Sequence, residues 1–303
     1  MKQTTEKPVT FLALSNARSG STYLQSLISA IEGVSCDYEY SLKAYSDNPS
    51  PNRRIIRHGI SNIHSDIIQH LPASSCVGSK LVLPLYEFLS DEEVLEINSS
   101  IPVEIKIIHL TRNYWDLLKS NLSRGVVHDF DAGGRGLDPT STMYKVLAEF
   151  RKDNDPNTKG KFVDLPPAAL LGYLKNLVRN DFVFLEIARK NESLLVPYEK
   201  INLLLGSVAA FLGKTISTKD IEKILLSPML KKLPAIPDTN MAQEPMLRPV
   251  ADNCYLDLLQ GIQSGLSGKE ILKSQLDRIN KALSNEIGAS GKQRNKWFKW
   301  PWK

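Results

Sequence analysis

The sequence predicts an α/β fold, in which a parallel sheet is flanked by helices and followed by a mostly helical C-terminal part. The first observation is that short apolar runs alternate along the chain with stretches of helical apolar spacing. Apolar strands that alternate with helices are typical of a parallel sheet covered on both faces. The second observation is that the first apolar run passes through a serine-rich loop directly into a helical pattern.

The main strands and helices follow each other in a regular order. The predicted strands are Val9–Leu14, Val77–Leu83, Glu104–Leu110 and Ser193–Val196. The predicted helices are Tyr23–Ile31, Tyr114–Leu122, Leu170–Arg189 and one around Ile201–Leu212. The first, third and fourth strands each lead into a helix, which favours the crossover connections of a parallel sheet.

The chain, residues 1–303, is predicted to form a single domain with two special segments. Its composition, 42% hydrophobic and 23% charged, suits a protein with a buried core and argues against a disordered chain or a coiled coil. Glycines and prolines punctuate a polar stretch at residues 125–167. We interpret it as an insertion on the substrate side, with a plain surface excursion as the alternative. Residues 287–303 form a basic and aromatic tail.

Several features indicate where the protein works. No apolar run approaches the about 20 residues that a membrane span needs, and the polar N-terminus has no signal-peptide core. Three cysteines without CxxC spacing, Cys36, Cys76 and Cys254, argue against a disulfide framework or a zinc site. We therefore expect a cytoplasmic protein.

The net charge of +5 belongs to the tail. Residues 287–303 hold five lysines and arginines and no acidic residue, which leaves a neutral body. The folded part is therefore expected to bind no nucleic acid. The tail also has three of the four tryptophans. That mixture suits a peripheral contact with an anionic membrane, single-stranded nucleic acid, or a fold back onto an apolar surface.

The most informative segment is Ser15–Thr22, which we call the phosphate loop. A strand, a tight loop and the start of a helix present backbone N–H groups and the helix dipole to a phosphate. Aligned on GxxxxGK[ST], only Gly20 and Thr22 match, because Ser15 replaces the first glycine and Ser21 replaces the lysine. Arg18 is the cation that remains. The alternative is a serine-rich turn that only caps the helix.

A second anion site is predicted after the third strand. A magnesium-dependent loop expects an aspartate at the end of a neighbouring strand, and here the strand runs into Arg112. This favours an anion held by side-chain charge, with no metal. Ser120 lies eight residues later, about two helical turns away, and can share the side of the helix on which Arg112 lies.

With both anion sites placed, the chain resembles the sulfotransferase superfamily, whose members use 3′-phosphoadenosine 5′-phosphosulfate (PAPS). The 5′-phosphosulfate motif resembles residues 17–24, the 3′-phosphate motif resembles residues 108–120, and a later family segment is similar to residues 196–213. The arginine in the loop and the position of Glu39 are most similar to the bacterial and carbohydrate branch. Residues 77–81, which include Lys80, resemble that branch's "GFKL" strand.

The resemblance implies roles for individual residues. Glu39, Arg18 and Lys80 are the implied catalytic residues, with Glu39 as the base. The implied cofactor-binding residues are Arg18, Ser19, Gly20, Ser21, Thr22, Tyr23, Arg112, Ser120 and Tyr198. His58, His64 and His109 are rival bases, although His109 lies in an apolar strand. Lys80 could instead cap a strand, and Tyr198 could instead be a core residue. Asp37 is a charged neighbour without an assigned role.

The resemblance thus implies an enzyme that moves the sulfuryl group of PAPS, in line, to a hydroxyl or less often an amino group. The acceptor would be a small molecule or a glycan, with a carbohydrate or glycolipid favoured. Two alternatives stay open from the residues alone. One is a nucleotide or metabolite kinase with the same loop geometry, and the other is a catalytically silent module that binds a nucleotide or glycan.

Overall fold

The computed structural model describes residues 9–36, 76–83, 99, 101–120, 167–227 and 244–289. Some features that the sequence singled out lie outside these residues: Asp37, Glu39, His58, His64, residues 125–166 of the predicted insertion and residues 290–303 of the tail.

A parallel sheet organises the described part of the chain. Its strands are β1 (Val9–Asn16), β2 (Val34–Ser35), β3 (Cys76–Leu83), β4 (Lys106–Thr111) and β5 (Ser193–Pro197). They lie in the order β2-β3-β1-β4-β5, and every pairing is parallel. The central strand is β1, which pairs with β3 from Val9↔Cys76 to Asn16↔Leu83 and with β4 from Phe11↔Lys106 to Ser15↔Leu110. The predicted parallel sheet is confirmed.

Helices follow the strands and then fill the C-terminal part. They are α1 (Ser21–Ser29), α2 (residues 114–120), α3 (Pro167–Ala188), α4 (Leu205–Phe211), α5 (Thr218–Leu225), α6 (Glu244–Gln263) and α7 (Gly268–Ala289). A short 3₁₀ turn, Tyr198–Lys200, joins β5 to the segment before α4. The predicted mostly helical C-terminal part is confirmed by α6 and α7. No helix in the described ranges has both the length and the apolar character that crossing a membrane requires.

Alternation along the strands builds an apolar layer on each face of the sheet. Phe11 and Ala13 of β1 join Leu24 and Leu27 of α1 and Val208 of α4 in one buried cluster. Successive strand residues point to opposite faces, so in β4 His109 faces away from the cluster that holds Ile108 and Leu110. His109 is buried and meets the ring of Phe184 in α3 edge-on, with the centroids 5.4 Å apart.

The chain divides into two compact units. The sheet unit comprises Met1–Arg112 and Val183–Ala235, and the helical unit comprises Asn113–Phe182 and Ile236–Lys303. The sheet unit holds all five described strands with α1, α4 and α5, and the helical unit holds α2, α6, α7 and most of α3. That residues 1–303 act as a single sulfotransferase-like domain stays a prediction.

Candidate functional site

The phosphate loop connects β1 to α1 through two residues with left-handed backbone. Arg18 has φ 69° and Gly20 has φ 93°. The turn is closed by Ser19 N–H, which donates to the Asn16 carbonyl at 3.2 Å, and α1 begins where Leu24 N–H donates to the Gly20 carbonyl at 3.0 Å. A left-handed arginine is uncommon, since its Cβ crowds the backbone. The loop therefore holds Arg18 in a conformation that its own residue type disfavours.

Position 20 requires glycine for two reasons: the left-handed φ and the closeness of a side chain that leaves no room for a Cβ. A Cβ at this position would overlap the ring of Tyr198, which follows β5. Tyr198 was predicted either to pack on an adenosine or to belong to the core. The structure places its ring directly against the backbone of the phosphate loop, and whether it also contacts a nucleotide stays a prediction.

Two hydroxyls of the phosphate loop are buried without a hydrogen-bond partner among the described residues. Ser15 is 1% exposed and Ser19 is 0% exposed, and neither Oγ makes a hydrogen bond to another described residue. An unsatisfied buried hydroxyl costs about 1–3 kcal/mol. Phosphate or sulfonate oxygens would accept hydrogen bonds from such groups, and the N-terminus of α1 adds backbone donors. The residues present thus fit an anionic group bound at this loop.

Lys80 approaches the same loop from the adjacent strand. It lies on β3 opposite Ala13 of β1 and is only 3% exposed. Its Nζ donates to Thr22 Oγ1 at 3.0 Å, in the first turn of α1. The loop lacks the lysine of the GxxxxGK[ST] pattern, and Lys80 of β3 therefore supplies a cation beside it. A catalytic role for Lys80 stays a prediction.

Arg112 is oriented by two contacts at the end of β4. Its Nη1 donates to the Arg18 carbonyl at 3.1 Å, and its guanidinium carbon lies 4.5 Å from the centre of the Tyr198 ring. Both contacts are with residues that line or touch the phosphate loop. Arg18, Arg112 and Tyr198, which are far apart in the sequence, are therefore brought together in the sheet unit.

Tyr23 and Cys36 are both held by hydrogen bonds within the sheet unit. Tyr23 Oη donates to Asn202 Oδ1 at 2.8 Å, just after the 3₁₀ turn. The carbonyl of Cys36 accepts Gln25 Nε2 at 2.6 Å and Ser29 Oγ at 3.1 Å. The chain is thus fastened to α1 three residues before Glu39. The roles of Gln25 and Ser29 were missed by the sequence analysis, although both lie on the polar side of α1.

Ser120, the other predicted phosphate contact, belongs to the helical unit. It is buried at the end of the described part of α2. The start of α2 is capped by Asn113, whose Oδ1 accepts the Trp115 N–H at 2.8 Å while its Nδ2 donates to Asp252 Oδ1 at 2.9 Å. The helix that carries Ser120 is therefore fastened to α6 within its own unit.

The cysteines are all buried free thiols. Burial is the main cause that raises the pKa of Cys76 to about 11 and that of Cys254 to about 12. Thiolates are the nucleophilic and metal-binding form of cysteine. Neither thiol is therefore suited to covalent or metal chemistry near neutral pH.

No family model matches the chain, and no curated protein is similar to it. Among solved structures, it is similar to the sulfotransferase domain of the olefin synthase from Synechococcus PCC 7002. The two share 15% sequence identity over 78% of this chain and 84% of that domain, with a TM-score of 0.37. A likeness at that TM-score supports no conclusion about this chain.

Proposed function

We propose that this protein is a PAPS-dependent sulfotransferase that transfers a sulfuryl group to a hydroxyl of a carbohydrate or glycolipid acceptor. The observation that carries the proposal is the phosphate loop. Two buried hydroxyls in it have no hydrogen-bond partner among the described residues, and Arg18, Lys80 and Arg112 supply three cations in or beside it. Arg112 directly follows the neighbouring strand β4, at a place where a magnesium-dependent kinase would have an acidic residue.

The chemistry of the donor determines what these residues have to do. When bound, PAPS supplies a sulfuryl group already activated by a phosphate leaving group. The backbone N–H groups of Gly20 to Thr22, with Arg18 and Lys80, would bind the leaving phosphate and stabilise the charge that develops on its oxygen. Such preorganised donors are typically the largest contribution to catalysis of this kind.

Recognition of the 3′-phosphate falls to Arg112 in this proposal, with Ser120 as the second contact that the motif implies. A guanidinium offers a planar pair of donors to a phosphate. The Tyr198 ring and the Arg18 carbonyl hold this guanidinium in place before any ligand arrives. Less conformational entropy is then lost on binding than with a mobile arginine.

The acceptor hydroxyl needs a base, because it is a weak nucleophile near neutral pH. We assign this role to Glu39, with His58 and His64 as rivals. General-base catalysis is typically worth about 10²–10⁴-fold. The arginine-type loop and the position of Glu39 are the features that favour a carbohydrate acceptor.

Binding of nucleotides tests the donor half of the proposal. We expect adenosine 3′,5′-bisphosphate to stabilise the protein selectively over 5′-AMP and over ATP with magnesium, by about 2.7 kcal/mol at 100 times its Kd. The Arg112→Ala variant should lose this selectivity. Arg189→Ala is the matched control, because Arg189 makes a surface ion pair with Glu186. A preference for magnesium–ATP would favour the alternative of a nucleotide or metabolite kinase. If none of the nucleotides binds, both the sulfotransferase and the kinase hypotheses are wrong.

The Glu39→Gln variant tests the base. Transfer of radiolabelled sulfate from PAPS to a panel of sugars should fall by about 10²–10⁴-fold in kcat, while the affinity for adenosine 3′,5′-bisphosphate stays unchanged. Asp37→Asn, two residues away, is the control and should keep its activity. Full turnover in Glu39→Gln would remove Glu39 as the base and leave the donor assignment standing.

A further inference from the structure

The hydroxyl of Thr22 occupies a position with a known use in magnesium-dependent phosphate loops. In the GxxxxGK[ST] pattern, the last Ser or Thr binds Mg²⁺ through its hydroxyl, and an aspartate from a neighbouring strand supports the ion. Thr22 is the residue that matches this position, and it is the second residue of α1. What lies against its oxygen therefore shows which cation the loop is built to use.

The cation at Thr22 is the ammonium of Lys80. Its Nζ donates to Thr22 Oγ1 at 3.0 Å, and the side chain is 3% exposed. Lys80 reaches the loop from β3, which pairs with β1 along its whole length. An ammonium carries three N–H donors, so Lys80 can bond Thr22 and a phosphate oxygen at the same time.

The other neighbour of β1 also brings a cation instead of a carboxylate. The strand β4 pairs with β1 on the opposite side from β3, and Arg112 follows it directly. The Arg112 guanidinium donates to the Arg18 carbonyl of the same loop. Both strands beside β1 therefore deliver positive charge at a place where a magnesium site needs negative charge.

We propose that the Lys80 ammonium takes the place that Mg²⁺ has in magnesium-dependent phosphate loops. The inference rests on the proposed function, because it assumes that the loop binds a phosphate group. Lys80 would then neutralise the phosphate directly, and its charge would repel a divalent ion at Thr22. The site would accept a nucleotide without a metal and disfavour one that arrives as a magnesium complex.

Calorimetric titration of the full chain with adenosine 3′,5′-bisphosphate tests the inference, once with a chelator and once with millimolar Mg²⁺. Wild-type affinity should not increase with Mg²⁺. Lys80→Met, which keeps the length of the side chain and removes the charge, should bind about 10–100-fold more weakly in the chelator. Added Mg²⁺ should then restore part of that loss, because the Thr22 oxygen has become available to the metal.

Two further variants separate this effect from a general loss of structure. Lys80→Met combined with Thr22→Val should bind weakly and show no recovery with Mg²⁺, since the hydroxyl ligand is gone. Lys106→Met removes a lysine from β4 whose Nζ bonds Glu192 and the Phe211 carbonyl. It should keep the wild-type affinity under both conditions. Thermal melts of each variant confirm that it is folded.

The outcomes distinguish this inference from the proposed function. If the wild type binds adenosine 3′,5′-bisphosphate but Mg²⁺ strengthens that binding severalfold, the inference about Lys80 is wrong and the proposed function stands. If Lys80→Met binds adenosine 3′,5′-bisphosphate in the chelator as tightly as the wild type does, the inference about Lys80 is also wrong and the proposed function still stands. If the wild type binds no adenine nucleotide under either condition, the proposed function and the inference are both wrong.

Discussion

The phosphate loop of the sheet unit and a buried polar network of the helical unit differ in whether their buried polar groups have hydrogen-bond partners. In the network, Tyr114 Oη donates to Asp181 Oδ2 at 2.7 Å and accepts from Gln275 Nε2 at 3.3 Å. Gln275 Nε2 also donates to the Cys254 carbonyl at 2.8 Å. In the loop, the hydroxyls of Ser15 and Ser19 are just as buried and have no partner among the described residues.

The charge of Asp181 supports the hydrogen bonds of the network. Burial, and after it the charge of Asp181, hold the pKa of Tyr114 well above its usual range. The Tyr114 hydroxyl therefore keeps its proton and remains a donor to the carboxylate. Outside this network, the buried Trp115 Nε1 of the helical unit has no hydrogen-bond partner in the described part of the chain.

This contrast distinguishes structural polar groups from functional ones. Groups that bond each other in the interior specify one packing arrangement and rigidify it. Unpaired hydroxyls and left-handed backbone, such as that of Arg18, reduce stability and persist where a ligand makes use of them. We therefore assign ligand binding to the loop and a structural role to the network.

Among variants that compare the loop with the network, the largest effect should come from Arg18. Arg18→Gly should lower the sulfate-transfer rate by about 10²–10³-fold, as expected for loss of a donor to the developing charge. The free energy of unfolding of Arg18→Gly should exceed that of Arg18→Ala by about 1 kcal/mol, because glycine accepts the left-handed φ without strain. Enzyme assays and urea unfolding of both variants measure the two quantities. Equal activity in the wild type and either variant would contradict the functional role of the loop.

The next effect concerns the network. Tyr114→Phe should lower the free energy of unfolding by about 1–3 kcal/mol, because it leaves Asp181 and Gln275 buried without their shared partner. The affinity for adenosine 3′,5′-bisphosphate should remain unchanged. Tyr23→Phe is the stability control, since its bond to Asn202 is exposed. A Tyr114→Phe variant with normal stability would show that a satisfied network is not what stabilises this unit.

The smallest effect should come from Ser19. Ser19→Ala removes a buried hydroxyl that has no partner among the described residues, so stability should stay the same or rise slightly. Affinity for adenosine 3′,5′-bisphosphate should fall by about tenfold, the lower end of what a hydrogen bond to a charged group is worth. Ser26→Ala is the control, because its hydroxyl donates to the Thr22 carbonyl within α1. If Ser19→Ala is destabilised and binds adenosine 3′,5′-bisphosphate with normal affinity, the Ser19 hydroxyl has a structural role and no role in ligand binding.

Most strands could be predicted because buried parallel strands are rich in apolar residues. The prediction Val9–Leu14 ended two residues before β1 does, since Ser15 and Asn16 are strand residues only through their pairing with Val82 and Leu83. The strand β2 was missed because two residues carry no periodicity. The helix predicted around Ile201–Leu212 is shorter: a 3₁₀ turn and a further turn precede α4.

The helix α5 shows a local signal that the sequence analysis overlooked. Ser217 and Asp220 form a capping box, in which the Asp220 N–H donates to Ser217 Oγ at 3.1 Å. A serine followed three residues later by an acidic residue is a recognisable start of a helix. The hydrogen bonds from Ser217 lower the pKa of Asp220, which keeps the carboxylate ionised as a partner in the cap.

Periodicity and loop composition are local properties of a chain, so they were enough to predict most strands and helices, the phosphate loop, Arg18 and Arg112. The folded structure was needed to show that β3 and β4 flank β1, that Lys80 bonds Thr22 and that Tyr198 lies against Gly20. These contacts join residues 58 and more positions apart. Strand order and side-chain packing select such partners, and no local pattern in the chain encodes them.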